Sequence, residues 1–265
     1  MPPARKRTRT YDAATSRTAV LTQFGHVRDA VTALTPEQLA LPTRLGDWTV
    51  RDLAAHLTMA VGSVSTALER EEPTSADLGL LDYGPATAGF ADAIAEGSHA
   101  LAVAHPDLGA LYARTAERLA ADLAAAPPGR LVATRAGGMT LTDHLVTRTI
   151  ELVVHTDDLN DAVPGLDVPL ERKALAACTR VLADTLAARA PGGSTEVRIP
   201  PYAVVQCVEG PRHTRGTPPN VVETDPLTWI RLATGRLAWG EAVAEARVSA
   251  SGERADLAGL LPLLT

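Results

Sequence analysis

Within the first 160 residues, apolar side chains recur at intervals of three and four in runs that prolines cut short. A chain with that period buries its apolar stripe by laying helices against one another, and a proline inside a run ends the helix before it. The first run, over residues 11 to 35, carries Ala19, Val20, Phe24, Val27, Ala30, Val31 and Leu34 and stops before Pro36. A second helix is predicted over about 50 to 70, opened by Thr49 with Asp52 three residues on, the spacing of an N-terminal capping arrangement. A third pattern spans 87 to 125, with Pro106 as a break point, and ends at Pro127-Pro128-Gly129. The fourth runs from Thr140 to about Asn160, with Leu141, Leu145, Val146, Ile150, Val153, Val154 and Leu159 as core positions. The stretch 71 to 90, rich in Pro, Gly, Asp and Thr, reads as a loop within one bundle rather than a linker. Four helices over this length predict a four-helix bundle.

After Pro164 the texture changes. A helix near 169 to 189 is followed by Pro191-Gly192-Gly193 and by β-branched runs at 197 to 199, 203 to 208 and 221 to 223 that read as strands. A short helix after Asp225-Pro226 ending near Gly235, a strand over 247 to 250 and a C-terminal Leu-rich helix complete an α+β unit. The expected organisation is therefore an all-α domain over 10–163 and a smaller α+β domain over 164–265.

A chain of 265 residues builds cores of this size without staples. Its 46% hydrophobic and 21% charged residues exclude disorder of the bulk, and a net charge of −6 argues against a nucleic-acid partner. The two cysteines, Cys178 and Cys207, form no Cys-x-x-Cys pair; they exclude a disulfide framework and a thiolate metal site and read as buried small hydrophobes. No apolar run approaches the ~18 residues of a membrane span. The basic Arg5-Lys6-Arg7 leads into polar residues rather than a signal-peptide core. The expectation is a cytoplasmic protein acting on a small molecule, without a membrane partner and with its oligomeric state left open.

Chemistry concentrates in Arg148-Thr149-Ile150-Glu151-Leu152-Val153-Val154-His155-Thr156-Asp157-Asp158. Glu151 and His155 are four apart and share one helical face. Their neighbours Ile150, Val153 and Val154 are apolar, so a bundle that buries this stretch buries a carboxylate and an imidazole, which is costly unless they pair or hold an ion. A solvated Glu-His pair is the other reading of the same spacing. His56, between Ala55 and Leu57 on the second helix, points inward either as a core histidine or as a third ligand. Two histidines and a glutamate with one open position match catalytic zinc sites.

The segment Asp47-Trp48-Thr49-Val50-Arg51-Asp52-Leu53-Ala54-Ala55-His56-Leu57, with Glu151-x-x-x-His155-x-x-Asp158 after it, resembles the mycothiol-dependent maleylpyruvate isomerase family. The resemblance implies a DinB-like four-helix bundle that binds a divalent metal, usually zinc, through His56, Glu151 and His155. The C-terminal part is similar to a sterol-carrier-like α+β domain, Trp229-Ile230-Arg231-Leu232-Ala233-Thr234-Gly235-Arg236 resembling its helix that ends in Thr-Gly-Arg. It implies Arg236 as a catalytic residue reaching a substrate carboxylate, the alternative being a helix-end arginine that interacts with the helix dipole. The activity implied is that of a metal-dependent enzyme activating mycothiol, as thiol cofactor or cosubstrate, for attack on a small electrophile, as an isomerase or an S-transferase. A metal-dependent hydrolase and a non-catalytic small-molecule-binding protein are the rival readings. The chain departs from the family at Asp157, where members commonly carry an aromatic residue, which implies a more acidic rim to the site.

The remaining candidates are fewer. His144, seven residues before Glu151 and about 10 Å along the same face, is too far for the ligand set but placed to line the mouth of a pocket. His26, His99, His105 and His213 read as surface or locally bonded residues, and Gly137-Gly138 as a loop turn that can also offer amides to an anion.

Overall fold

Free amides at a helix start need acceptors, and at most of the longer helices of this chain a nearby side chain accepts one of them. The computed structural model describes residues 9–210 and 218–264. Helix α1 (Ala13–Val31) starts behind Asp12, whose carboxylate accepts the Thr15 amide. A single turn, α2 (Pro36–Leu39), closed by a reciprocal Thr35–Gln38 box, occupies what reads in sequence as loop. Helix α3 (Val50–Glu69) opens on the predicted Thr49–Asp52 box. The 71 to 90 stretch holds a 3-10 turn at Leu80–Asp82 and a short α4 (Tyr83–Thr87). Pro106 splits the third pattern into α5 (Ala91–Ala104) and α6 (Leu108–Ala125), the second capped by Asp107. Before α7 (Leu141–Ala162), capped by Thr140, the chain makes an antiparallel pair that the sequence pattern does not announce, β1 (Leu131–Ala133) and β2 (Gly138–Thr140). Gly137 turns it at φ +148, and the Gly138 amide donates to Asp77 rather than standing free for an anion.

Helices α1, α3, α6 and α7 form a ring in which each packs on two others, and α5 packs along α3. Their core holds Leu53, Leu57, Leu119, Leu145 and Leu152 around Phe24, which stacks on Tyr112 at 5.1 Å. The Tyr112 hydroxyl donates to the Ala54 carbonyl, so the ring is buried without an orphaned oxygen.

The second domain comprises α8 (Arg172–Arg189), β3 (Thr195–Ile199), β4 (Ala203–Cys207), β5 (Val221–Thr224), α9 (Pro226–Ala233), α10 (Trp239–Ala244) and β6 (Val248–Ser251). Its sheet runs β4-β3-β5-β6, parallel between β3 and β5 and antiparallel elsewhere. Cys178 and Cys207 are both buried in its core with Leu182, Val197, Val222 and Trp229. The expected C-terminal Leu-rich helix does not form; only a 3-10 turn at Ala258–Leu260 does. Pro262 interrupts it, and the amides of Leu263 and Leu264 go to the carbonyl of Ala233 instead. Gly210-Pro211-Arg212 runs out of the described residues, and Arg5-Lys6-Arg7 and His213 lie wholly outside them. Among the described residues no helix is long and apolar enough to cross a membrane.

Helix α8 packs on α1 and α7 as well as on β4 and α9, and the second core takes in Ala19, Val153 and Val154 of the bundle. Helix α7 is thus shared: Leu145, Leu152 and Leu159 face the bundle, while Val153 and Val154 face the second domain. The stripe between carries His144, Arg148, Glu151 and His155.

Because Thr49 holds the start of the helix that delivers His56, Thr49→Ala should lower stability by about 1 kcal/mol. The expected result is a lower denaturant midpoint at unchanged slope.

Candidate metal centre

His56 points inward because its flanks Leu53, Leu57 and Ala60 are committed to the core; it is 6% exposed. Trp48 packs at 5.2 Å from its ring centroid and the His155 ring at 5.0 Å, edge to face. Nε2 of His56 lies 3.3 Å from Glu151 Oε2, and Nε2 of His155 lies 3.4 Å from the same oxygen. One donor atom from each of the three residues falls within 4.8 Å of the others. Glu151 is the open side of the group, its side chain 32% exposed.

The hydrogen bonds behind the rings decide which nitrogens face the centre. Ser98 gives its one proton to the Ile94 carbonyl at 2.7 Å, so its oxygen accepts from Nδ1–H of His56 at 3.3 Å. Asp158 accepts from Nδ1–H of His155 at 2.7 Å. Both rings therefore turn bare Nε2 lone pairs toward Glu151, the arrangement in which a histidine ligates a metal while its other nitrogen is held from behind. Donors about 2.0–2.1 Å from one tetrahedral ion stand about 3.3 Å apart, which the two observed spacings match. Two lone pairs aimed at a carboxylate repel unless a cation lies between them, so the donor set fits a divalent ion.

A proton takes that place when no ion does. Burial alone would lower the His155 pKa, but the Asp158 and Glu151 carboxylates outweigh it and push the pKa up to about 8. Burial holds His56 below the ordinary histidine value despite Glu151. Loss of hydration would raise Glu151, yet both histidines and Arg148 keep it well below the usual carboxylate range. Asp158 is likewise held down, against its burial, by His155 and Arg236.

Arg236 does meet a carboxylate, but the protein's own. Its Nε and Nη2 donate to the two oxygens of Asp158 at 3.0 and 2.8 Å, and Nη1 donates to the Thr234 carbonyl. The guanidinium is thereby committed, and the expected reach to a substrate carboxylate is replaced by a hold on the residue that orients His155. Arg44 Nε approaches Asp158 at 2.8 Å, an ion pair without hydrogen-bond alignment. Asp157 likewise does not make an acidic rim: it is buried and taken up by Arg231 of α9 and by Arg44. Ser98, Arg44 and Arg231 carry no sequence signal, since each acts through a distant partner; Asp158 was legible as the residue one turn beyond His155. His99 pairs with Asp52, His26 lies on the Pro169 carbonyl and His105 beside Arg114, each locally bonded as expected.

Two outcomes follow from this geometry. Asp158→Asn should weaken divalent-metal binding by about 10- to 100-fold in a chelator competition, and it should destabilise the fold because Arg236 loses its buried counter-charge. Second, His155 has a folded pKa above its unfolded value, so its stabilising contribution is complete below about pH 6.5 and is lost as the pH rises through about 8. Thermal melts of metal-free protein should therefore fall over that window, and metal-loaded protein, in which the ion has displaced the proton, should not.

Comparison with known proteins locates this architecture. No curated protein sequence matches the chain. Over 93% of its length it superposes on a crystal structure of the mycothiol-dependent maleylpyruvate isomerase, covering 95% of that chain at 16% identity with a TM-score of 0.61. A histidine-to-alanine mutant of such an isomerase superposes over the same shares at 15% identity and a TM-score of 0.60. At these identities the likeness establishes the fold, a helix-rich bundle followed by a smaller α+β domain. Residues 171–263 match the family described as bacterial SCP ortholog. Residues 20–160, more than half of the chain, match the mycothiol maleylpyruvate isomerase N-terminal domain, and the chain belongs to that family.

Proposed function

We propose that this protein is a mycothiol-dependent isomerase that works with a divalent metal ion, zinc first, held by His56, Glu151 and His155. The observation that carries the reading is the pair of Nε2 atoms converging on one carboxylate oxygen at 3.3 and 3.4 Å, each ring held from behind by a fixed acceptor. Family membership supports the thiol. A divalent ion held there would lower the pKa of a bound thiol and so supply a thiolate nucleophile for the double bond of a conjugated substrate. The chain's own residues do the rest. Ser98 and Asp158 fix the ring tautomers, and Arg236 and Arg44 hold Asp158 against rotation. Trp48 walls the His56 side, and the exposed edge of Glu151 marks where substrate enters. The partner is a small electrophile rather than nucleic acid or membrane. A thiol cofactor suits the reducing cytoplasm, as do two cysteines that are buried in the second core.

Metal analysis with a turnover assay, run with and without mycothiol, tests the reading. His56→Ala, Glu151→Ala and His155→Ala should each bring bound metal to near zero while helicity survives, because the apolar cores and not the ion hold the bundle. Cobalt-substituted protein should gain a sulfur-to-cobalt absorption on adding mycothiol. Full metal content in all three variants removes the site. Turnover that ignores the thiol points to a hydrolase using bound water, and a thioether product to an S-transferase.

A further inference from the structure

The polar stripe of α7 continues past the three donors. One turn toward the N-terminus, Arg148 is only 6% exposed, and among the described residues the one carboxylate within 4 Å of its guanidinium is Glu151, 3.9 Å from Nη2. Its other partners are neutral: Nη2 donates to the Tyr83 hydroxyl at 2.9 Å and Nε to Thr147 Oγ1 at 3.2 Å, with the Tyr83 ring centroid 5.3 Å from Cζ. A turn further, His144 is 2% exposed and 6.2 Å from the Tyr83 ring. Among the described residues neither of its nitrogens has a hydrogen-bond partner, the Ser63 backbone facing the ring outside bonding geometry. Burial, then the charge of Arg148, push its pKa down to about 3, so a neutral ring with unspent hydrogen-bonding capacity sits beside the cation.

Buried charges in proteins are matched, and on the other flank of α7 they are. There the buried carboxylates of Asp157 and Asp158 face Arg44, Arg231 and Arg236, and Arg44 also reaches the exposed Asp161. Around Arg148 the balance does not close. With the histidines neutral, a divalent ion, the Glu151 carboxylate and the Arg148 guanidinium leave two positive charges. A thiolate supplies one negative charge, and the second has to arrive with the acceptor.

We propose that Arg148, seated on Tyr83, binds a carboxylate of the acceptor beside the metal donors and so selects anionic electrophiles. The inference rests on the metal-and-thiol reading and deepens it. A guanidinium suits this task because it offers two parallel N–H groups to a planar carboxylate. Its Nη2 stands 3.9 Å from Oε1 of Glu151, whose other oxygen faces the two histidines, so the selected acceptors are short, with the carboxylate close to the carbon under attack.

The test is calorimetric titration with maleate as probe and its dimethyl ester as neutral control, on zinc-loaded and on metal-free protein, with metal content measured for every variant. Arg148→Gln should keep its zinc and bind maleate about 30-fold or more weakly, equivalent to about 2 kcal/mol. Arg148→Lys should recover part of the loss, Tyr83→Phe should lose a few-fold, and the ester should not distinguish the variants. Parental maleate affinity in zinc-loaded Arg148→Gln overturns the proposal while leaving the metal reading intact. So does a parent protein that binds no maleate at millimolar concentration. If Arg148→Gln does not fold, unchanged affinity in both Arg148→Lys and Tyr83→Phe overturns it. If the parent takes up no metal, the functional reading fails separately, and the metal-free titrations decide Arg148 by the same criterion.

Discussion

The carboxylate of Asp158 has no contact with solvent, and the site is arranged around the need to satisfy it. Leaving such a charge unpaired costs several kcal/mol, so it persists only where cations and donors surround it. One oxygen receives the His155 proton and an Arg236 nitrogen, and the other receives Arg236 and the approach of Arg44. Through that hub a loop before α3, the last turns of α7 and the residues after α9 are fixed relative to one imidazole. The direction in which His155 presents its lone pair is therefore a property of the whole interface rather than of α7.

Helix α7 makes this possible by serving three environments at once. A bundle helix has one apolar stripe and a solvated back, but this one spends Leu145, Leu152 and Leu159 on the first core and Val153 and Val154 on the second. What remains is a polar stripe walled by hydrocarbon. Low polarity nearby strengthens each electrostatic contact within the stripe and raises the cost of any group left unmatched. That explains why the balance of charge along it carries information about what binds.

Much of this was legible in the chain. Thr49 and Asp52 are three apart, Glu151 and His155 four apart, and His56 sits on the inward face of its helix; helical geometry alone converts such spacings into neighbours. The DinB-like bundle and the sterol-carrier-like domain followed from the motifs. What escaped depends on contacts between distant segments. Asp157 read as an acidic rim until Arg231 and Arg44 were placed against it. Arg236 read as facing substrate until Asp158 was found in its fork. The Leu-rich C-terminus has helical composition, but the Ala233 carbonyl takes the amides that a helix would need. The short α10 around Trp239 and the β1–β2 pair are too brief for periodicity to register.

The cluster of arginine and aspartate also bears on whether the halves of such a protein can be exchanged. Beside the apolar contacts of Ala19, Val153 and Val154, the two domains meet where Arg231 and Arg236 of the second pair with the buried Asp157 and Asp158 of the first. A bundle without its companion would keep only Arg44 and His155 against Asp157 and Asp158, and an unrelated companion would have to supply guanidinium groups where Arg231 and Arg236 stand. Exchanging one half alone would therefore remove two ion pairs from buried carboxylates, a loss that moving both halves together avoids.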